Sequence, residues 1–254
     1  MRIITYNVNG IRSAVKKGFT DWLKTGPADI VCLQEIKANK EDVPVAEINA
    51  AGYQVYSFSA QKKGYSGVAV LTRIKPDNVV YGNGIAQSDF EGRVIRLDFS
   101  DITLINAYFP SGTSGAERQV YKYQWLDEFF DFLAELRKTR PNLIICGDYN
   151  ICHQAIDIHD PVRNKNYTGF LPEERAWMDK LFANGFIDTF RHFNKAPHQY
   201  TWWSAFAGAR ANNKGWRIDY LNVTEPLANK LKHAEILPHI VHSDHCPVLL
   251  ELTS

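Results

Sequence analysis

Polar side chains of a particular kind stand where apolar runs end. Glu35 follows Ile30-Val31-Cys32-Leu33-Gln34, and Asp148 and Asn150 follow Leu143-Ile144-Ile145-Cys146-Gly147. Asn7 and Asn9 follow the first apolar run. Asp219 lies in Arg217-Ile218-Asp219-Tyr220-Leu221, and Asp244 and His245 precede Cys246-Pro247-Val248-Leu249-Leu250. A carboxylate or amide just beyond a rigid strand has little conformational entropy left to lose. Taken singly, each is an ordinary turn former or helix cap. Taken together they select acids, amides and one histidine, which turns do not require. Oxygen-rich, thiolate-poor donors suit a hard divalent cation. Mg²⁺ is satisfied by one or two carboxylates together with water and substrate phosphate oxygens.

The elements that must position these groups follow from the apolar pattern. Strands are expected at Arg2–Asn7, Ile30–Gln34, Tyr53–Ser57, Val68–Thr72, Val94–Phe99, Thr103–Tyr108, Leu143–Gly147, Ile218–Val223 and Val248–Leu252, each rich in Val, Ile or aromatics and bounded by turn formers. Continuous apolar runs such as Ile30 to Leu33 fit strands covered on both faces. The longest helix is expected from Glu117 to Arg137, with Trp125, Leu126, Phe129, Phe130, Leu133 and Leu136 as its stripe and Glu and Lys on the other side. A second is expected from Pro172 to Ala183. There proline opens the first turn, Glu173 and Glu174 complement the dipole, and Gly185 supplies a left-handed cap. A faint internal echo is present. A strand ending in Asn7, a helix and a strand ending at Glu35 parallel a strand ending in Tyr108, a helix and a strand ending at Asp148. Two sheets with strand ends converging at one rim would follow.

Composition bounds the rest. The chain has 254 residues, 45% apolar and 22% charged, with 29 Lys+Arg against 28 Asp+Glu, so any surface for a polyanion must come from segregated charge. No apolar run reaches the length of a membrane span. The opening Met1-Arg2-Ile3-Ile4-Thr5-Tyr6-Asn7 meets a polar residue too soon for a signal peptide. Cys32, Cys146, Cys152 and Cys246 show no C-x-x-C spacing and read as buried, reduced thiols. No low-complexity linker divides the chain. One domain over residues 1–254, in the cytoplasm, is expected.

The ordered motifs T-Y-N-V-N-G (Thr5 to Gly10), L-Q-E-I-K (Leu33 to Lys37), N-A-Y-F-P (Asn106 to Pro110), G-D-Y-N (Gly147 to Asn150), G-W-R-I-D-Y (Gly215 to Tyr220) and S-D-H (Ser243 to His245) carry a resemblance. Over almost the whole chain the sequence resembles the exonuclease III / apurinic-apyrimidinic endonuclease branch of the endonuclease–exonuclease–phosphatase superfamily. The segment Gly169 to Arg175 resembles that branch in particular. The resemblance implies a four-layer α/β sandwich, two mixed sheets face to face with helices outside. It further implies that Glu35 is the principal Mg²⁺ ligand (Mn²⁺ substituting), with Asn7, Asn9 and Asp244 near the metal. Asp148 would orient and deprotonate the attacking water, and Asn150 would hold that water or the phosphate. His245, paired with Asp219, would donate to the phosphate, and Tyr108 would contact it or steady the leaving oxygen. Whether Asp148 or His245 is the general base stays open at this level, as does a count of one metal ion or two. Asn9 stands where some relatives carry Asp, and Ser111 where relatives often present a longer amide. No counterpart of the N-terminal extension of animal relatives is expected.

Substrate choice rests on Trp202, Phe206 and Trp216, with Arg210 and Arg217 interleaved among them. They read either as core aromatics beside a basic loop or as an aromatic wall for a deoxyribose lacking its base, with cations on phosphates. Lys37, Lys62, Lys63, Arg163 and Lys165 are further candidate phosphate contacts. The expected activity is Mg²⁺-dependent cleavage 5′ to abasic sites in double-stranded DNA, with trimming of 3′ ends, by a monomer. The rivals are a 3′→5′ exonuclease or 3′-phosphatase with weak abasic activity, a small-phosphoester phosphatase, and a nucleic-acid-binding protein without catalysis.

Overall fold

The computed structural model describes residues 1–253. In chain order its strands are β1 (Arg2–Asn7), β2 (Ile30–Gln34), β3 (Gln54–Phe58), β4 (Val68–Thr72), β5 (Asn78–Tyr81), β6 (Val94–Phe99), β7 (Ile102–Tyr108), β8 (Asn142–Asp148), β9 (Phe186–Asp188), β10 (Trp202–Trp203), β11 (Gly215–Trp216), β12 (Asp219–Thr224), β13 (Leu231–Ile236) and β14 (Val248–Leu252). The α-helices are α1 (Ile11–Lys16), α2 (Phe19–Lys24), α3 (Val45–Ala50), α4 (Ala86–Phe90), α5 (Ala116–Arg137), α6 (Pro172–Ala183) and α7 (Thr189–Phe193). No helix among the described residues is long and apolar enough to cross a membrane.

Two six-stranded mixed sheets, in the orders β13-β14-β1-β2-β4-β3 and β5-β6-β7-β8-β12-β9, pack face to face with helices outside, as expected. Alternation along the central strands explains the layering. Ile30 and Cys32 of β2 join Ile144 and Cys146 of β8 in the core between the sheets. Val31 and Leu33 turn outward against Phe19 and Leu23 of α2. Leu143 and Ile145 turn outward against Trp125, Phe129 and Leu133 of α5. Strands buried on both faces therefore read as unbroken apolar runs.

The internal echo has a structural counterpart. β1 pairs parallel with β2, and β7 pairs parallel with β8; these are the two parallel pairs of the sandwich. Each parallel pair needs a helical crossover, which brings both C-terminal strand ends to the same side. β12 runs back against β8 with Asp219 opposite Asp148, delivering a third carboxylate to that rim.

Several elements depart from expectation. β3 lies one residue later than expected, and β5, β9, β13 and the β10–β11 ribbon were not anticipated. β5 is a largely exposed edge, and β13 buries only Ala234 and Ile236, so neither presents a buried apolar run. On α5 one lysine breaks the expected division of faces. Lys122 is fully buried, one turn ahead of Trp125 and Leu126 on the apolar stripe.

Candidate active site

The rim of the sandwich carries a pocket of about 310 Å³ lined by Asn9, Glu35, Tyr108, Asp148, Asn150, Asp244 and His245, with Trp202 and Trp216 on its wall. Three strand ends meet there. Asn7 closes β1 and is fully buried; its Nδ2 donates to Glu35 Oε1 at 2.9 Å and to Asp148 Oδ2 at 2.8 Å. One amide thus ties the carboxylate after β2 to the carboxylate ending β8, across the two sheets. Asn150 N also donates to Asp148, at Oδ1, 2.8 Å away. The inter-sheet register behind the rim is fixed by buried amides: Gln34 Nε2 donates to Asn106 Oδ1 at 2.7 Å, and Asn106 Nδ2 donates to Leu33 O at 3.0 Å.

Charge is arranged asymmetrically. His245 is buried and lies 2.9 Å from Asp219 Oδ2 through Nδ1, while Nε2 faces Asp148 Oδ2 at 3.9 Å. Burial alone would depress the imidazole, but Asp219 outweighs it, with help from Asp148 and Asp244, and pushes its pKa up to about 10. It is therefore an imidazolium at neutral pH, with Nδ1–H donated to Asp219. Thr201 fixes that acid in turn, its hydroxyl donating to Asp219 Oδ2 at 2.6 Å. Asp148 is also shifted upward, which for a carboxyl favours the neutral form. Burial, with Asp219 and Glu35 nearby, raises its pKa to about 7 against the pull of His245. Glu35 is held low despite its burial, because Lys37 and Asn7 stabilise the anion. Asp244 is likewise held low against burial by His245, Asn9, Trp202 and Ser243. Burial and the acids Glu35 and Asp148 keep the Tyr108 hydroxyl protonated far above its usual range.

Glu35, Asp148 and His245 each bring a possible donor atom to within 4.8 Å of the others. A protonated imidazole has no lone pair, so the cation-binding side lies with the oxygens. Lys37 Nζ sits 2.7 Å from Glu35 Oε2 and 2.6 Å from Asn9 Oδ1, so a positive charge is already held between these hard donors. Asn9 Nδ2 continues the chain to Asp244 Oδ1 at 3.0 Å. The set suits a divalent cation of the Mg²⁺ class.

Most residues singled out from the sequence converge on this pocket, and seven do not. Arg217 was expected on DNA phosphates, but it is fully buried, with its guanidinium 2.7 Å from both Asp157 and Asp188. Arg210 stacks over Trp203 and donates to the carbonyls of Ser243 and Ile240, each at 2.8 Å, stapling the loop ahead of His245. Phe206 was expected on the pocket wall, yet it is 81% exposed and does not line the pocket. Lys62, Lys63, Arg163 and Lys165 are all exposed.

Other residues were missed. Tyr167 meets Trp216 edge-on at 6.2 Å and extends the wall, and Thr201 holds Asp219. Lys122 reaches from α5 to the carbonyl of Asn150 at 2.8 Å and to Glu174 Oε1 at 2.6 Å. A lysine in register with the Trp125–Leu126 stripe was the available signal.

The comparisons agree with this geometry. The profile of the Endonuclease/Exonuclease/phosphatase family matches residues 4–245. The chain is 42% identical over 252 residues to an exodeoxyribonuclease of Bacillus subtilis, covering 98% of both chains. It is 38% identical over 252 residues to a DNA-(apurinic or apyrimidinic site) endonuclease of Dictyostelium discoideum, covering 98% of this chain and 69% of that one. Its fold superposes on a 3′-5′ exonuclease of Neisseria meningitidis with a TM-score of 0.93 at 28% identity, over 100% of both chains. Two mixed sheets, a rim of acids and amides, and these relatives together make the chain a member of the endonuclease/exonuclease/phosphatase family, in its branch of exonuclease III-type DNA-repair nucleases.

Proposed function

We propose that the protein hydrolyses the DNA phosphodiester 5′ to abasic sites, leaving 3′-hydroxyl and 5′-deoxyribose-phosphate ends, and also trims 3′ ends. The observation that carries this reading is geometric: one pocket holds Asp148, tied to Glu35 through Asn7, with His245 Nε2 3.9 Å from Asp148 and its Nδ1 2.9 Å from Asp219. A carboxylate poised near neutrality can take a proton from water, whereas an imidazole already protonated cannot. In this reading Asp148 acts as the general base. His245 donates Nε2–H to a phosphate oxygen, with Asp219 fixing its tautomer and charge. Asn150 orients the water or the phosphate from its position beside Asp148. Tyr108, kept protonated, donates a hydrogen bond to the phosphate or to the departing 3′ oxygen.

Glu35, Asp244, Asn7 and Asn9 are the residues that would hold Mg²⁺, with Mn²⁺ as a substitute. The chemistry such a cation would supply is neutralisation of charge on the phosphate and on the leaving oxygen. The wall of Trp202, Trp216 and Tyr167 receives the sugar that lacks its base, a group that is extruded cheaply because no stacking is lost. Lys37 and the exposed Lys62, Lys63, Arg163 and Lys165 contact phosphates. The partner is thus duplex DNA with an abasic site or a 3′ end, bound by a monomer formed as one domain, in the cytoplasm.

The likeness to a 3′-5′ exonuclease favours a second reading, end trimming as the main activity. One gel separates the two. An end-labelled duplex with one abasic analogue, an undamaged duplex and a recessed 3′ end are incubated with Mg²⁺ or with EDTA. Fast incision at the analogue, abolished by EDTA, supports the main reading. Fast trimming with slow incision transfers it to the second.

A further inference from the structure

Trp202 differs from the other aromatics of the wall in what its ring nitrogen does. Nε1 donates to Asp244 Oδ2 at 3.1 Å. The other oxygen, Oδ1, receives Asn9 Nδ2 at 3.0 Å and the Ser243 hydroxyl at 3.1 Å. Three donors on one carboxylate leave it a single orientation. The backbone adds to this. Trp203 N donates to Asp244 O at 3.2 Å, Cys246 N donates to Thr201 O at 2.7 Å, and Trp202 faces His245 as in an antiparallel ladder. The strand that supplies the wall is thereby stitched to the segment that supplies Asp244 and His245. Trp216 packs perpendicular to Trp202 at 6.0 Å and forms no hydrogen bond with Asp244.

We propose that Trp202, beyond forming the pocket wall, is a positioning residue for Asp244, so that the wall and the cation site work as one coupled unit. The inference rests on the placement of Asp244 in the cation site under the proposed function. Groups that orient a metal-binding carboxylate matter to affinity almost as much as the carboxylate itself. Removing one typically weakens binding by about 10- to 100-fold. Asp244 keeps two other donors when the indole N–H is lost, which places the effect near the lower figure. Coupling of this kind is reciprocal. A sugar seated against Trp202 strengthens cation binding by the same factor by which the cation strengthens binding of the sugar.

The test uses Trp202→Phe, which keeps an aromatic ring on the wall and removes the donor along with part of the ring area, a loss that Trp216→Phe shares. Free Mn²⁺ is titrated by electron paramagnetic resonance against DNA-free wild type, Trp202→Phe, Trp216→Phe and Asp244→Asn. Affinity should fall about tenfold in Trp202→Phe and stay within about twofold of wild type in Trp216→Phe, whose ring lacks the Asp244 bond. In ¹⁵N-labelled wild type, the indole N–H resonance absent from Trp202→Phe should move as Mg²⁺ is added. Wild-type affinity in Trp202→Phe beside a clear loss in Asp244→Asn overturns the coupling and leaves the functional reading intact. So does an equal loss in both tryptophan variants, or an indole resonance that ignores Mg²⁺. Wild-type affinity in Asp244→Asn removes Asp244 from the cation site, and the coupling with it.

Discussion

Lys122→Met isolates what the buried ion pair behind the pocket contributes. Lys122 and Glu174 are both fully buried, 2.6 Å apart, and Lys122 also donates to the Asn150 carbonyl. Burial pulls the lysine pKa below its ordinary value, against the pull of Glu174. Methionine is close in volume, so little cavity forms; the cost is the carboxylate left without its cation. Breaking a buried pair from one side costs about 3 to 5 kcal/mol. Glu174 keeps other donors, Gly169 N at 2.6 Å, Leu171 N at 3.0 Å and Gln119 Nε2 at 3.2 Å, so the loss belongs near 3 kcal/mol. For a chain of this size that is about 6 to 12 °C of melting temperature. Adding Glu174→Gln removes the stranded charge while keeping an acceptor for the loop N–H groups, and should return about half of the loss. Urea unfolding and thermal melts of wild type, the single and the double variant measure this directly. A single-variant loss below about 1 kcal/mol, or a double variant no more stable than the single, refutes the reasoning.

Asp148→Asn should cut turnover by at least about 10² if general-base help has its usual worth, with DNA affinity little changed; wild-type turnover would end the assignment. Asp157 gives a pH-dependent stability. Burial would raise its pKa, but Arg217 and Arg191 hold it at about 2. A depressed carboxylate contributes stability above its unfolded pKa and loses it as pH falls through the folded value. On the order of 2 kcal/mol should therefore disappear between roughly pH 4 and pH 2. The stability gap between wild type and Asp157→Asn, followed by urea unfolding, should shrink over that window, and a constant gap would contradict the network. Phe206→Ala should leave the melting temperature almost unchanged, because the ring is 81% exposed; a large drop would mean that it packs in solution.

The central strands and the rim were legible because the same physics writes both. Strands covered on two faces must be apolar throughout, so the polar residue that ends one stands out, as at Glu35 and Asp148. Arg217 was illegible for the converse reason. A cation next to aromatics in sequence looks like a phosphate contact, and nothing local reveals that Asp157 and Asp188, distant in the chain, consume its charge. Phe206 was misplaced because an aromatic close to Trp202 in sequence need not share its face in a loop. The short helices α1 and α2 begin at Gly10 and Gly18 with no side-chain cap, and neither is longer than six residues, so their start signals were absent. The edge strand β5 carries no apolar–polar alternation because none of its four residues is buried.

What the strand pattern could not show is that the rim is held under strain. Asn9 (φ 44°), Glu35 (φ 48°), Lys37 (φ 48°) and Asn150 (φ 51°) all adopt left-handed backbone. Asparagine tolerates that region, but glutamate and lysine do not prefer it, and each such residue costs about 1 to 2 kcal/mol. The conformation persists because the surrounding backbone leaves no alternative. Gly10 N donates to Glu35 O at 2.7 Å, Ile36 N to Gly67 O at 3.1 Å, and Lys37 N to Ser66 O at 2.9 Å. On the opposite strand end, Lys122 grips the Asn150 carbonyl from behind. The left-handed turn after β2 swings Glu35 back over the pocket instead of letting it continue along the strand. Rigid sheets, stitched across by Gln34 and Asn106, are what allow the sequence to place these disfavoured turns where the carboxylates must meet.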